Sequence, residues 1–216
     1  MKRVMIMLTL LTILFTACKK ENSETELKPI PETDYMQLKI GNYWVYEWYH
    51  LDSSGNETIN GTIDSCIIIG DTNIRDHQYF KQTFTYQAHT VYLRDSSGYL
   101  INHSGKVIFS NHDFSNIIRE DTIGPGLAIA TYRMTDNDTT ITVPIGTYPV
   151  IDFKGKVTAL DPQSPHGTHY VHYFYADGLG MIKSSVYYYS APSLRTGKRL
   201  TKFGNIEIGV KSSLTL

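Results

Sequence analysis

Three histidines, His166, His169 and His172, occur at intervals of three residues. On an α-helix this spacing would align the imidazole rings on one face, where they could bind zinc or copper. The segment reads instead as a loop that leads into a strand, and on a strand His169 and His172 would point to opposite faces. No acidic residue lies within it to complete a ligand set. We therefore predict solvated or hydrogen-bonded histidines, with no metal and no cofactor.

Residues 43–50 are the most aromatic stretch of the chain, and alternate residues there fall on opposite faces of a predicted strand. Trp44, Tyr46 and Trp48 share one face, while tyrosines, a valine and a glutamate share the other. Stacked rings of this kind could bind a sugar or a lipid, but they would also dominate any core that they join. The early position of the strand favours the core, and a ligand-stacking platform is the alternative.

The sequence contains no nucleophile elbow, Walker loop, dinucleotide-binding glycine run or metalloprotease histidine pair. For a glycan-acting hydrolase, the candidate carboxylates are the predicted loop residues Asp113, Glu120 and Asp121, although nothing places two of them opposite each other. Cys66 lies in a strand-like apolar run, which predicts a buried side chain rather than a catalytic thiol. We assign no catalytic residue and favour a non-catalytic role.

Two short motifs are candidates for covalent modification. Residues 121–123 (Asp-Thr-Ile) and 138–140 (Asp-Thr-Thr) resemble the O-glycosylation signal of Bacteroidota proteins. Both stretches are predicted to be exposed loops. The resemblance makes Thr122 and Thr139 the predicted acceptors.

The beginning of the chain has the features of an export signal. Lys2 and Arg3 precede an apolar run of about a dozen residues, which is too short for a transmembrane helix of roughly 20 residues. Residues 15–18 (Phe-Thr-Ala-Cys) resemble the lipobox of bacterial lipoproteins, although Phe15 replaces the usual leucine. The resemblance implies a signal peptide over residues 1–17, cleavage before Cys18, and lipid attachment that anchors the protein to a membrane through Cys18.

Residues 18–36 are polar and contain two prolines, which predicts a flexible tether. Fully extended, such a segment would span roughly 55–60 Å. The charged residues 19–21 (Lys-Lys-Glu) resemble the surface-export signals of Bacteroidota lipoproteins. We therefore predict an outer membrane lipoprotein of the cell envelope. Its domain lies either on the periplasmic face of that membrane or on the cell surface, and the sequence does not decide between the two.

Removing residues 1–17 takes away two basic residues and no acidic one, which changes the formal net charge from −1 to −3. This charge is unsuited to a nucleic-acid partner. The remaining residues 37–216 have a suitable length for one domain with its own core.

Short alternating segments separated by Gly, Asp, Asn and Ser predict an all-β fold, an antiparallel meander of about ten strands that forms a strongly curved sheet or a barrel. Residues 111–130 are less regular and predict a long loop. The clearest hairpin signal is Asp177-Gly178, which predicts a type I′ turn, and Gly180 could supply a bulge.

Three motifs that span most of the predicted domain resemble a pattern in uncharacterised lipoproteins of Bacteroidota: residues 41–47 (GNYWVYE), 143–148 (VPIGTY) and 175–183 (YADGLGMIK). The resemblance implies an envelope lipoprotein and no particular activity.

Three hypotheses follow. The first is a non-catalytic module that binds a ligand or an envelope protein, with glycans among the possible partners. The second is a carrier of lipid or another apolar ligand in a barrel cavity, although the heavy aromatic side chains predict a filled interior. The third is the glycan-acting hydrolase described above.

Overall fold

Alternating side chains and frequent turns produce twelve β-strands in the part of the chain that the structure describes. The computed structural model describes residues 33–164, 167–188 and 191–208. Within these ranges there is no helix long and apolar enough to cross a membrane. The strands are β1 (Asn42–Leu51), β2 (Glu57–Ile74), β3 (His77–Phe84), β4 (His89–Ser96), β5 (Tyr99–Asn102), β6 (Val107–Ser110), β7 (Arg119–Ile123), β8 (Ala128–Val143), β9 (Gly146–Ala159), β10 (Thr168–Ala176), β11 (Gly180–Tyr188) and β12 (Ala191–Asn205).

All twelve strands belong to one sheet, in the order β6-β5-β4-β3-β2-β1-β12-β11-β10-β9-β8-β7. Strands that follow each other in sequence pair antiparallel, except β6 and β7, which are the two edges of the sheet. The first and last strands, β1 and β12, also pair antiparallel and join the two halves of the meander. The sheet curls until it is nearly a closed barrel. The predicted all-β antiparallel meander is therefore confirmed.

The edge strands β6 and β7 meet through side chains. Arg119 Nη1 on β7 donates to the carbonyl oxygen of Val107 on β6, at 3.0 Å. The same guanidinium lies 3.7 Å from the centre of the Tyr132 ring. Lys106 Nζ, beside β6, lies 2.9 Å from Asp121 Oδ1. Charged and aromatic side chains thus link these edges in place of the backbone ladder that joins the other strands.

Strand β7 lies within the segment that the sequence predicts to be a loop, so that part of the prediction is wrong. Its five residues carry little apolar alternation of their own. They become a strand by pairing with β8, as in the Thr122–Ile129 pair. A strand whose own residues are mostly polar has a weak signal in the sequence, even when its partner is the next strand along the chain.

The predicted hairpin between β10 and β11 is present, but its turn is not type I′. Gly178 has a φ of 74°, whereas Asp177 is not among the residues with positive φ. Three residues rather than two separate the strands, and Leu179 N donates to Ala176 O at 3.2 Å. The predicted bulge at Gly180 is not where the register changes. In the pairing of β10 with β11, the register shifts between Phe174 and Tyr175.

Several tyrosines cover glycines on the neighbouring strand. A side chain on these glycines would collide with the tyrosine ring that lies over it. The cross-strand pairs are Tyr43–Gly204, Tyr49–Gly197 and Tyr132–Gly155. Pairing of this kind gives part of the chain's tyrosine content a structural role.

Two groups of buried side chains form the core. One joins β4–β6 to β8–β10 and includes Phe109, Met134 and Phe153. The other joins β1, β2, β11 and β12 to the far parts of β8 and β9, and includes Ile68 and Leu200. Contacts between opposite halves of the sheet require its strong curvature.

Candidate ligand-binding site

A cavity of about 260 Å³ lies inside the curved sheet. Its lining comes from strands β1–β6 on one side and β10–β12 on the other, and most of it is apolar. The lining includes Trp44, Ile68, Phe84, Leu93, Leu100 and Met181. Alternating inward side chains on many strands therefore converge on one space.

The segment that precedes β1 forms part of the cavity wall. Tyr35, Met36 and Leu38 line it, and the Tyr35 and Phe109 rings lie 6.0 Å apart. Asp34 N donates to Asp177 Oδ1 at 2.7 Å, in the β10–β11 turn. Residues 34–36, which the sequence analysis assigns to the tether, thus contact the domain.

Trp44 and Tyr46 line the cavity without filling it. Each is 3% exposed. Trp44 Nε1 donates to Leu179 O at 2.7 Å, and the Tyr46 hydroxyl donates to Met181 O at 2.8 Å. These bonds hold both rings toward β11, so the rings do not occupy the whole interior. The heavy aromatic side chains therefore coexist with an internal cavity, contrary to the predicted filled interior.

An ion pair lies at one side of this cavity. Lys198 Nζ lies 3.2 Å from Asp64 Oδ2, and the two side chains are 15% and 4% exposed. The ammonium is also 4.5 Å from the Tyr46 ring centre and 5.2 Å from that of Phe84. Asp64 Oδ1 accepts a hydrogen bond from Tyr86 N at 3.1 Å. Both charges are therefore compensated locally, and the cation gains additional stabilisation from the rings.

A second, more polar depression of about 510 Å³ lies beyond Lys198, and we name it the Trp48 groove. The Trp48 and Tyr86 rings are 5.5 Å apart and tilted by 45°. Polar side chains also line the groove, namely Asn60, Thr62, Asp64, Gln87, His89 and Thr196. Trp48 Nε1 is buried and has no hydrogen-bond partner among the described residues. Of the three predicted stacking residues, Trp44 and Tyr46 thus line the interior, while Trp48 lines this groove.

Cys66 also lines the interior cavity. Burial raises the pKa of its thiol to about 12, although nearby Lys198 opposes the shift. The thiol is therefore protonated at neutral pH and a poor nucleophile. The thiol sulfur accepts a hydrogen bond from Gln82 Nε2, at 3.4 Å.

The three histidines do not converge in the part that is described. His166 lies outside the described residues, whereas His169 and His172 lie on β10. The His169 ring is 4.7 Å from that of Tyr187, and His172 Nδ1 is 2.7 Å from Asp152 Oδ2. Among the described residues, no group of three or more His, Cys, Asp or Glu side chains could hold a metal ion.

The candidate carboxylates make structural contacts. Asp113 accepts a hydrogen bond from the Tyr99 hydroxyl at 2.9 Å, and this bond lowers the pKa of Asp113. Asp121 pairs with Lys106 and with Arg119 Nε at 3.1 Å. Glu120 is exposed on β7. A lowered pKa is the opposite of what a general acid needs at neutral pH.

Both predicted glycosylation acceptors are exposed, but they lie in strands rather than loops: Thr122 on β7 and Thr139 on β8. Thr139 follows a register shift in β8. Cys18 lies outside the described residues. Modification of these three side chains stays a prediction.

The Lys198–Asp64 pair was not anticipated from the sequence. The two residues are 134 positions apart. Each residue lies opposite one of the aromatic residues of β1. Lys198 on β12 pairs with Trp48, and Asp64 on β2 pairs with Tyr46. That signal becomes visible only when the strand register is known.

The fold resembles two solved structures. A predicted lipoprotein of Parabacteroides distasonis matches with a TM-score of 0.50 and 14% identity, over 80% of this chain and 99% of that one. A predicted exported protein of Bacteroides fragilis, whose fold is described as YmcC-like, matches with a TM-score of 0.45 and 13% identity, over 81% of this chain and 100% of that one. No protein-family model matches the sequence, and a comparison with curated proteins finds no match. At 14% identity the likeness to the first of these structures shows a shared fold and carries no activity.

Proposed function

We propose that this protein is an envelope lipoprotein that binds a small apolar ligand, or the apolar chain of a larger one, inside its β domain. The observation that carries the proposal is the cavity of about 260 Å³ with its mostly apolar lining. A dry apolar cavity of about 150 Å³ in another protein is large enough to bind benzene. The space available here exceeds that requirement.

The lining also explains why an apolar ligand would be favoured over water. The polar atoms of Trp44 and Tyr46 already have backbone partners, so they offer little to a water molecule. Buried water needs two to four hydrogen-bonding partners, whereas an apolar ligand needs only contact with carbon. An apolar-ligand carrier is therefore the form of non-catalytic binding module that we propose.

Lipid on Cys18 is the second part of the proposal, and it rests on the lipobox resemblance and the preceding apolar run. An anchored β domain would act at a membrane, and we propose the outer membrane. Replacing Cys18 with alanine should move the protein to the soluble fraction. Unchanged association with membranes would contradict the anchor and leave the cavity proposal intact.

Ligand binding is tested by titrating the Cys18→Ala protein with N-phenyl-1-naphthylamine, a neutral apolar fluorophore. We expect saturable binding at one site per chain. Val91 lies on β4 and lines the cavity, so Val91→Phe should fill the cavity and abolish binding of the fluorophore. Val107 lies on β6 outside the lining, so Val107→Phe should leave binding unchanged. Equal binding by both variants, or no saturable binding by the parent protein, would refute the proposal.

A further inference from the structure

The interior cavity and the Trp48 groove are separated by a shared wall. Phe84 and Lys198 line both spaces. The other residues of the two linings differ in character, because the interior is mostly apolar, whereas the groove carries hydroxyl, amide, carboxylate and imidazole groups. A single ligand that occupied both spaces would therefore need an apolar part and a polar part.

The interior is large enough for a short carbon chain. Benzene, with six carbons, binds in a cavity of about 150 Å³. In proportion, the volume of 260 Å³ here corresponds to about ten carbons. Every methylene that leaves water adds to binding, and the loss of one should weaken it about fourfold. A chain of eight to ten carbons thus suits the space.

The groove is suited to a neutral, hydroxyl-rich group. Trp48 and Tyr86 supply tilted ring faces, while Asn60 and Gln87 supply amide donors and acceptors. The charge of Lys198 is compensated by Asp64, so the pair presents both a donor and an acceptor with no net charge. Aromatic faces beside mixed hydrogen-bonding groups fit a sugar ring better than they fit a strongly ionic head group.

Of the two residues that line both spaces, Lys198 has the flexible side chain. Lys198 reaches Asp64 through a four-carbon stem, and its ammonium rests against the rings of Tyr46 and Phe84. A rotation of this stem would connect the spaces without moving the backbone. The ion pair could re-form beside a bound chain, since Asp64 is held in place by Tyr86 N.

We propose that the natural ligand is a single amphiphile, whose apolar chain occupies the interior cavity and whose neutral sugar-like head group lies against Trp48 and Tyr86. This inference rests on the proposed function and specifies its ligand class. It assigns separate roles to the aromatic residues: Trp44 contacts the chain, and Trp48 contacts the head group.

The two tryptophans are the only ones in the chain, so each can act as a local reporter. In the Cys18→Ala background, Trp48→Phe leaves Trp44 as the reporter of the interior, and Trp44→Phe leaves Trp48 as the reporter of the groove. The probes are n-octyl-β-D-glucoside below its micellar concentration, n-octanol and methyl-β-D-glucoside. Octyl glucoside should change the fluorescence of both reporters, while octanol should change only that of Trp44.

We expect octyl glucoside to bind about tenfold more tightly than octanol, because it adds ring stacking and hydrogen bonds. Trp48→Ala should remove that advantage and leave the affinity for octanol unchanged. Tyr86→Ala, at a more exposed position of the groove, should act in the same direction if Trp48→Ala fails to fold. Tyr170→Ala, an exposed tyrosine outside the groove, is the matched control and should have no effect.

The outcomes separate the two proposals. Binding of octanol at Trp44 with no tighter binding of octyl glucoside would overturn the amphiphile inference and retain the apolar site. Binding of methyl glucoside as tight as that of octyl glucoside, with no response of Trp44, would also overturn it. Failure of both octanol and octyl glucoside to bind would refute the proposed function as well.

Discussion

Replacing Lys198 with methionine is expected to destabilise the domain by about 3 kcal/mol. The substitution retains most of the side-chain volume but leaves the Asp64 carboxylate buried without its cation. Removal of one partner from a buried ion pair costs roughly 3–5 kcal/mol. We expect the lower end of this range of free energies because the Lys198 side chain is 15% exposed and Tyr86 N still donates a hydrogen bond to Asp64.

Urea denaturation followed by circular dichroism measures this change, and equal slopes for parent and variant would show that only stability has changed. Adding Asp64→Asn to Lys198→Met should recover at least half of the loss, because asparagine retains the acceptor for Tyr86 N and removes the charge.

The matched control is Lys106→Met. Lys106 also pairs with an aspartate, but the two side chains of that pair are 43% and 25% exposed. Exposed pairs contribute about 0–1 kcal/mol, so this loss should be small. A loss of less than 1 kcal/mol for Lys198→Met, or no recovery in the double variant, would refute the view that the charges at the cavity wall depend on each other.

Three further predictions concern packing and titration. Gly197→Ala should cost about 3 kcal/mol in urea denaturation, because a Cβ there would collide with the Ser184 carbonyl oxygen, whereas Gly70→Ala, with open space around it, should be near neutral. Burial raises the pKa of Tyr175. The contribution of its neutral hydroxyl to stability is therefore fully present below about pH 10 and is lost as the pH rises further. The Tm of the protein should fall above that pH, and the Tm of Tyr175→Phe should fall less steeply. In Cys18→Ala, Cys66 should react with iodoacetamide about a thousandfold more slowly in the folded protein than in the unfolded chain, because burial raises the pKa of its thiol from 9.0 to about 12. Comparable rates in the folded and unfolded protein would contradict this prediction.

The sequence was sufficient to predict the strands that have an apolar face of their own. Residues 43–50 alternate clearly, and β1 forms there with Trp44 and Tyr46 buried. β7 was missed because its charged residues become a strand only by pairing with β8 and by forming ion pairs with the opposite edge. A strand of mostly charged residues gives no apolar alternation from which it could be recognised, even though its partner strand follows directly in the sequence.

The site was predictable only in part. The aromatic face was visible as an alternation, and two explanations for it, core and ligand platform, were kept open. The structure divides the face, because the polar atoms of Trp44 and Tyr46 bind backbone oxygens of β11 and its turn, while Trp48 lies in a separate groove. The ion pair of Lys198 and Asp64 lies between distant segments, so no local sequence signal could have identified it.

The central claim is that the interior cavity holds an apolar chain, and the most direct measurement is a crystal structure of the Cys18→Ala protein soaked with n-decanol. We expect electron density for the decanol chain between Trp44, Phe84 and Leu93, with the surrounding backbone unchanged. Density confined to the outer surface, or an interior closed by rearranged side chains, would contradict it.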